Sequence, residues 1–131
     1  VKINLADPNP ATRFWIDESD ESQGWVDLRL VSSEEMAKID TVTIKKRNEY
    51  RRGQRYEVED TNTKMRNRLL WDAVIVDWGN ILDENNKQIK CTTDNKEMVM
   101  MKSAKFAAFV GQRIETLTDE TLATYEIQEK N

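Results

Sequence analysis

The side chains of this sequence with the most chemical potential are 24 Asp and Glu residues and a single thiol, Cys91, and no histidine accompanies them. Without histidine the chain lacks the commonest general base, the usual activator of serine and cysteine nucleophiles, and the ligand most transition-metal sites use. A lone cysteine forms neither an intramolecular disulfide nor a cysteine-based metal site. The carboxylates fall in acidic turns and at helix starts, where they act on solvation and capping. The four glycines are scattered, so no Gly-rich loop is available to cradle a phosphate. These residues predict no catalytic residue, no metal and no cofactor: a protein that binds and does not catalyse.

Three groups of residues imitate sites. Asp83-Glu84-Asn85-Asn86-Lys87 has the look of a calcium loop. Counted from Asp83, however, Lys87 takes the fifth position, Gln88 the glycine position and Asp94 the place of the bidentate Glu. A polar hairpin turn is the better reading. Lys45–Arg55, with Tyr50 and Tyr56 interleaved, could neutralise phosphates and stack on bases, but it matches no nucleic-acid-binding motif. Met98, Met100 and Met101, and the four tryptophans Trp15, Trp25, Trp71 and Trp78, read first as core residues. Any that reach the surface would serve as adaptable contacts or binding hot spots.

The elements that would position these residues follow from periodicity and punctuation. Asp7-Pro8-Asn9-Pro10 blocks regular structure. Thr12–Ile16 reads as a strand. Trp25–Val31 alternates Val26/Leu28/Leu30 against Trp25/Asp27/Arg29/Val31, so residues 12–31 form a β-hairpin with an acidic tip. Ser32-Ser33-Glu34-Glu35 is a capped helix start, and the β-branched Thr41-Val42-Thr43-Ile44 keeps that helix short. Residues 44–60 are a charged segment that reads as an exposed hairpin or a mobile arm. Thr61 or Thr63 caps a helix running to about Asp77, with Met65, Leu69, Ala73 and Val76 on one face and Gly79 closing it. Ile81-Leu82 and Gln88–Lys90 flank a small β-hairpin. Thr92/Thr93 and Asp94 open the next helix, which carries Met98, Val99 and Met101. Phe106, Phe109, Val110, Ile114 and Leu117 keep helical spacing, and Thr118-Asp119-Glu120 resembles a fresh cap from which a last helix restarts to Gln128. The predicted fold class is α+β: N-terminal β-hairpins packed with a mainly helical C-terminal half, residues 61–130, that contains a small β-hairpin. With 131 residues the chain is expected to be one domain, 1–131.

Hydrophobic residues make up 38% of the chain and charged ones 34%, above the average of about 25%, which predicts a large solvated surface. The net charge is only −4, but between Lys45 and Arg68 nine basic residues face four acidic ones. Such a dipolar chain suits self-association or a search for partners. The longest wholly apolar run, Ala73–Val76, is far short of a membrane span, and no secretory signal pattern is present. An intracellular, soluble protein is expected, with no membrane partner. The start on Val1 is expected to reflect a removed or trimmed initiator methionine.

In Leu70–Val110 the order of motifs is more informative than any one of them. Trp78–Ile81 forms a Trp-Gly-Asn-Ile turn, Asp83–Asn86 an acidic hairpin, Cys91–Thr92 a helix cap, Asn95–Lys96 an Asn-Lys pair, and Phe106–Val110 an aromatic helix. In that order the segment resembles tail assembly chaperones of long-tailed, siphovirus-like bacteriophages. About 40 residues carry the resemblance, which extends loosely over the charged middle and the Ser-Glu-Glu helix start. At Asn86 the chain departs from the family, many members of which have Gly. The resemblance implies a non-enzymatic protein of the infected host's cytoplasm, absent from the mature virion. Its partners would be the tape measure protein, which it keeps soluble, and the tail tube protein, whose assembly it promotes. No contact residue transfers from the family. On physical grounds the candidate partner-binding residues are Met98, Met101, Phe106, Phe109 and Trp78. Two alternatives are a nucleic-acid-binding accessory protein acting through residues 45–68, disfavoured by the acidic total, and a structural tail or head-completion subunit.

Overall fold

The computed structural model describes residues 2, 3, 5, 6 and 9–130, the last seven of them as backbone only. In chain order its elements are β1 (Thr12–Trp15), β2 (Trp25–Leu28), α1 (Ser33–Thr43), β3 (Ile44–Arg51), β4 (Gln54–Thr61), α2 (Thr63–Val74), β5 (Ile75–Gly79), α3 (Thr93–Lys102) and α4 (Ala104–Lys130). A 3-10 turn at Glu21–Gln23 closes the β1–β2 hairpin. Strands and helices in this arrangement make an α+β protein. Asp7 and Pro8 of the N-terminal loop, and Val1, lie outside the described residues.

The alternation in Trp25–Leu28 places Val26 and Leu28 fully inside, and β2 becomes the middle of an antiparallel sheet ordered β1-β2-β5. The third strand departs from expectation. Residues 75–79 do not extend the preceding helix; α2 stops at Val74, and the β-branched Ile75 and Val76 turn the chain into β5. Gly79 is therefore no helix cap. It ends β5 opposite Trp25, where a Cβ would stand 2.4 Å from the indole Nε1. Pairing passes from Leu28↔Ile75 to Asp27↔Asp77, leaving Val76 as the extra residue of a β-bulge. The bulge matters because Ile75 and Trp78, three apart, would face opposite sides of a regular strand. With it, both reach the core, while Val76 is exposed.

Helix boundaries follow from where hydroxyls and amides are used. Ser32 caps α1 through a capping box: its Oγ accepts from the Glu35 N–H at 3.2 Å, and the Ser32 N–H donates to Glu35 Oε1 at 3.3 Å. Arg29, the residue after β2, grips the same carboxylate at both oxygens, at 2.9 and 2.5 Å. This helix runs longer than its β-branched end suggested. Thr41 and Thr43 donate back to the carbonyls of Ala37 and Ile39, so both hydroxyls are satisfied inside the helix. Asn62, between the two threonines expected to cap α2, is the actual cap and accepts from Met65 N–H at 3.1 Å. The break expected at Thr118 is absent, because Thr118 donates to Ile114 within a continuous α4. The break falls instead at Ser103, whose N–H ends α3 on the Val99 carbonyl and whose Oγ accepts from Phe106 N–H.

The core lies between the inner face of the sheet and α3 and α4: Val26, Leu28, Ile75, Trp78, Val99, Phe106, Val110 and Leu117. Trp78 meets Phe106 edge-on, with ring centroids 5.7 Å apart. Between β5 and α3, the expected small hairpin takes a minimal form, a single bridge Leu82↔Gln88 flanked by Ile89 N–H to Ile81 O at 2.8 Å. Its turn places Asn86 at φ 61°, the left-handed conformation that asparagine tolerates and glycine favours. Residues 44–61 form a long hairpin, β3–β4, that makes a separate two-stranded sheet. It leaves the body at Thr43, and its residues are exposed apart from the partly buried Ile44, Glu49 and Val58.

Two changes test this packing. Gly79→Ala is expected to cost about 1–3 kcal/mol in urea unfolding, as overpacking against an indole does. Hydrogen bonds from Arg29 hold the Glu35 carboxyl down to about 2, from an ordinary value of 4.5. The unfolded chain therefore binds that proton first on acidification. Stability from this group is present above about pH 4.5 and is lost as pH falls toward 2. Glu35→Gln should lower stability at neutral pH and flatten the pH dependence of the melting temperature across that window.

Candidate functional site

Capping positions the two helices that form a surface opening. Asn62 starts α2, and Thr92, accepting from Asn95 N–H at 3.2 Å, starts α3. Along their length the helices are clasped by one polar cluster. The Lys96 ammonium, 7% exposed, donates to the Asp72 carbonyl at 3.2 Å and to Asp72 Oδ1 at 3.1 Å. Thr93 Oγ1 donates to the same carboxylate oxygen at 2.8 Å. Burial works against the charge on Asp72, but Thr93 and Lys96 outweigh it, and its pKa is lowered. At the other end of the clasp, Arg68 reaches from α2 to Asp94 at 2.6 Å and to Glu97 at 3.6 Å. Glu97 Oε2 has no hydrogen-bond partner among the described residues.

Beside this clasp the two helices leave an open groove of about 510 Å³. Trp71, Met98 and Met101 supply its apolar wall, with Thr63, Asn67 and Lys102 among its polar border. Met98 is 40% exposed and Met101 67%, so the methionines present their side chains outward instead of filling the core. An unbranched thioether adapts its shape to the surface laid against it. The groove can therefore accept an apolar side chain or a helix face.

Only Met98 and Met101 of the five candidate partner-binding residues belong to this surface. Trp78 and Phe106 are core residues, 5% and 9% exposed, and the Trp78 indole N–H is committed to the Ile89 carbonyl at 2.7 Å. Phe109 is half-buried and carries the Arg113 guanidinium over its ring at 5.2 Å. Trp71 and Asn67 were not among the candidates. Their signal was the i, i+4 spacing that puts both on one stripe of α2 beside Thr63. Nor do the tryptophans act alike. Trp78 alone is buried; Trp15 and Trp25 face each other across β1–β2, and Arg13 lies 3.6 Å over the Trp25 ring.

The other groups that imitate sites have bonds of their own within the chain. The Asp83 carboxylate accepts from the N–H groups of Asn85 at 2.8 Å and Lys87 at 3.0 Å, which fixes a turn. Burial pushes the Cys91 thiol up to about 11, so it stays protonated and a poor nucleophile at neutral pH. No group of three or more Cys, Asp or Glu side chains able to hold a metal occurs among the described residues. No helix among them is long and apolar enough to cross a membrane. Of the nine basic residues between Lys45 and Arg68, Lys46, Arg47, Arg51, Arg66 and Arg68 are ion-paired within the chain. That spends much of the charge a phosphate backbone would need.

Comparisons of the chain with known protein families, with curated proteins and with solved structures find no match. The site is therefore read from its own chemistry.

The clasp makes a direct prediction. Asp72→Ala strands the Lys96 ammonium in a nearly buried position and should cost about 1–3 kcal/mol in denaturant unfolding. The double change Asp72→Ala with Lys96→Met removes both charges and should recover most of that loss.

Proposed function

We propose that this protein is a non-catalytic assembly chaperone that holds apolar helical segments of a partner against the α2–α3 groove. The observation that carries the proposal is the exposure of Met98 and Met101 beside Trp71 on a rigid two-helix frame. A holdase needs contact surface that is apolar, adaptable and set in a soluble body. The groove combines these properties, and 34% charged residues keep the rest of the surface hydrated. The motif order in Leu70–Val110, with its resemblance to phage tail assembly chaperones, supplies the partner. It is the tape measure protein, a long chain whose apolar helices must be kept from aggregating before the tail tube assembles around it. The protein then acts in the cytoplasm of the infected host and leaves before the virion matures.

Several motifs that carry the resemblance have a mechanical role in this reading. Thr92 caps the groove helix, Asn95 donates to the Lys90 carbonyl at 2.9 Å, and Lys96 locks α3 to α2. They set the spacing of the groove without lining it with a fixed pattern of polar groups. Binding of many related apolar segments, and not one sequence, follows from such a surface.

Co-expression with the cognate tape measure protein tests the proposal. The expected result is a soluble complex that elutes as one species. Met98→Asp with Met101→Asp should weaken it by about 2 kcal/mol or more, as loss of a hot spot does, and leave the melting temperature of the free protein unchanged. An insoluble partner with no complex, or a complex indifferent to both substitutions, would overturn it.

A further inference from the structure

The β3–β4 hairpin presents an interaction surface that the groove does not use. A two-stranded ribbon in water is marginal by itself, and this one is covered by no other element beyond its base. Among the described residues no strand pairs with either of its edges. At its tip, Arg52 and Gly53 take φ values of 52° and 76°, the two-residue turn whose twist suits a tight hairpin. The register Lys45↔Asp60, Lys46↔Glu59, Asn48↔Glu57 and Tyr50↔Arg55 segregates charge by strand. β3 carries Lys45, Lys46, Arg47 and Arg51 against Glu49, and β4 carries Glu57, Glu59 and Asp60 against Arg55.

We infer that the β4 edge pairs with the β4 edge of a second copy of this chain, the two ribbons running in opposite directions about a two-fold axis at Tyr56. Sterics select the direction. Neighbouring strands lie about 4.8 Å apart, so two ribbons side by side with their bases together would drive the two bodies into one another. Opposed ribbons put the bodies at opposite ends.

Charge selects the register. The Asn62 N–H bonds the Thr43 carbonyl at 2.7 Å, and the alternation of an antiparallel ladder then turns the N–H and C=O of Arg55, Glu57 and Glu59 outward. Centred on Val58, the pairing would set Glu57 against Glu59 of the other copy. Centred on Glu57, it would set that residue against itself, although Arg55 would then face Glu59. Centred on Tyr56, it sets Arg55 against Glu57 of the second copy and the two Tyr56 rings together. Opposite charges and aromatic pairs directly across strands stabilise a sheet, and like charges destabilise it. Arg55 forms no ion pair within the chain among the described residues and is available to the second copy; Glu57 already faces Lys46 at 3.6 Å, an exposed pair that leaves room for a second cation beside it. Charged residues on an edge commonly prevent pairing; here the register centred on Tyr56 keeps both Arg55–Glu57 pairs with no like charges opposed, which favours it over its neighbours.

Sedimentation velocity of the full chain over a range of concentrations at low ionic strength tests this, with circular dichroism confirming that each variant is folded. A monomer–dimer equilibrium that weakens with salt is expected. Arg55→Glu alone and Glu57→Arg alone each place like charges across the axis twice and should weaken association about tenfold or more. Mixing the two variants restores opposite charges at both positions and should restore a dimer. Glu57→Pro, which removes an outward N–H but none of the ribbon's own ladder, should abolish association. A chain that stays monomeric at every concentration overturns the inference, as does failure of the mixture to recover. An arm that binds an oligonucleotide as a monomer, with affinity falling steeply with salt, would equally overturn it. None of these results bears on the groove, since Met98 and Met101 lie on α3.

Discussion

The fold depends on where Trp78 is placed. Its ring packs edge-on against Phe106 and its indole N–H is bonded to the Ile89 carbonyl, so one side chain joins β5, the connection to α3, and α4. An indole can be buried at low cost only when its N–H has a partner. That partner is a backbone carbonyl in the 80–92 connection, which ties a nearly irregular segment to the core. The bulge at Val76 makes this possible by turning Ile75 and Trp78 to the same side of the sheet. Gly79 then lets the chain leave the sheet beneath Trp25.

From that anchor the groove follows by short steps. The connection delivers Thr92 as the cap of α3, and Lys96 one turn later reaches across to Asp72. The clasp uses Lys96 and Asp72 to hold two helices together, and Met98 and Met101 stay exposed beside it, next to the partly buried Trp71. A protein optimised only for stability would cover them. Their exposure on a frame fixed by ion pairs and caps is the physical basis for reading the protein as a binder of apolar segments.

Much of the architecture was legible in the residues. The alternation in Trp25–Leu28, the Ser32–Glu35 capping box, the Thr92 cap and the turn at Asp83 each acted locally and appeared where their chemistry required. Three misreadings share one cause, a local signal that served a different use. Val76 keeps the helical spacing of Met65, Leu69 and Ala73, but it is the extra residue of a bulge in β5. Thr41, Thr43 and Thr118 looked like helix breakers or caps, but each donates its hydroxyl back into its own helix. Trp78 and Phe106 looked as available for binding as Met98, since composition does not say which apolar residue finds the core. The groove itself was only partly legible: the methionines stood out, whereas Trp71 and Asn67 became visible as partners only once α2 and α3 were set side by side.

The most direct test of the account is a hydrogen-exchange footprint of the protein bound to an apolar helical segment of the tape measure protein. Slowed exchange is predicted in α2 from Thr63 to Trp71 and in α3 from Asp94 to Lys102, with the β3–β4 ribbon and the sheet unchanged by that segment. Protection confined to the ribbon or to the outer face of the sheet, with α2 and α3 exchanging as in the free protein, would contradict it.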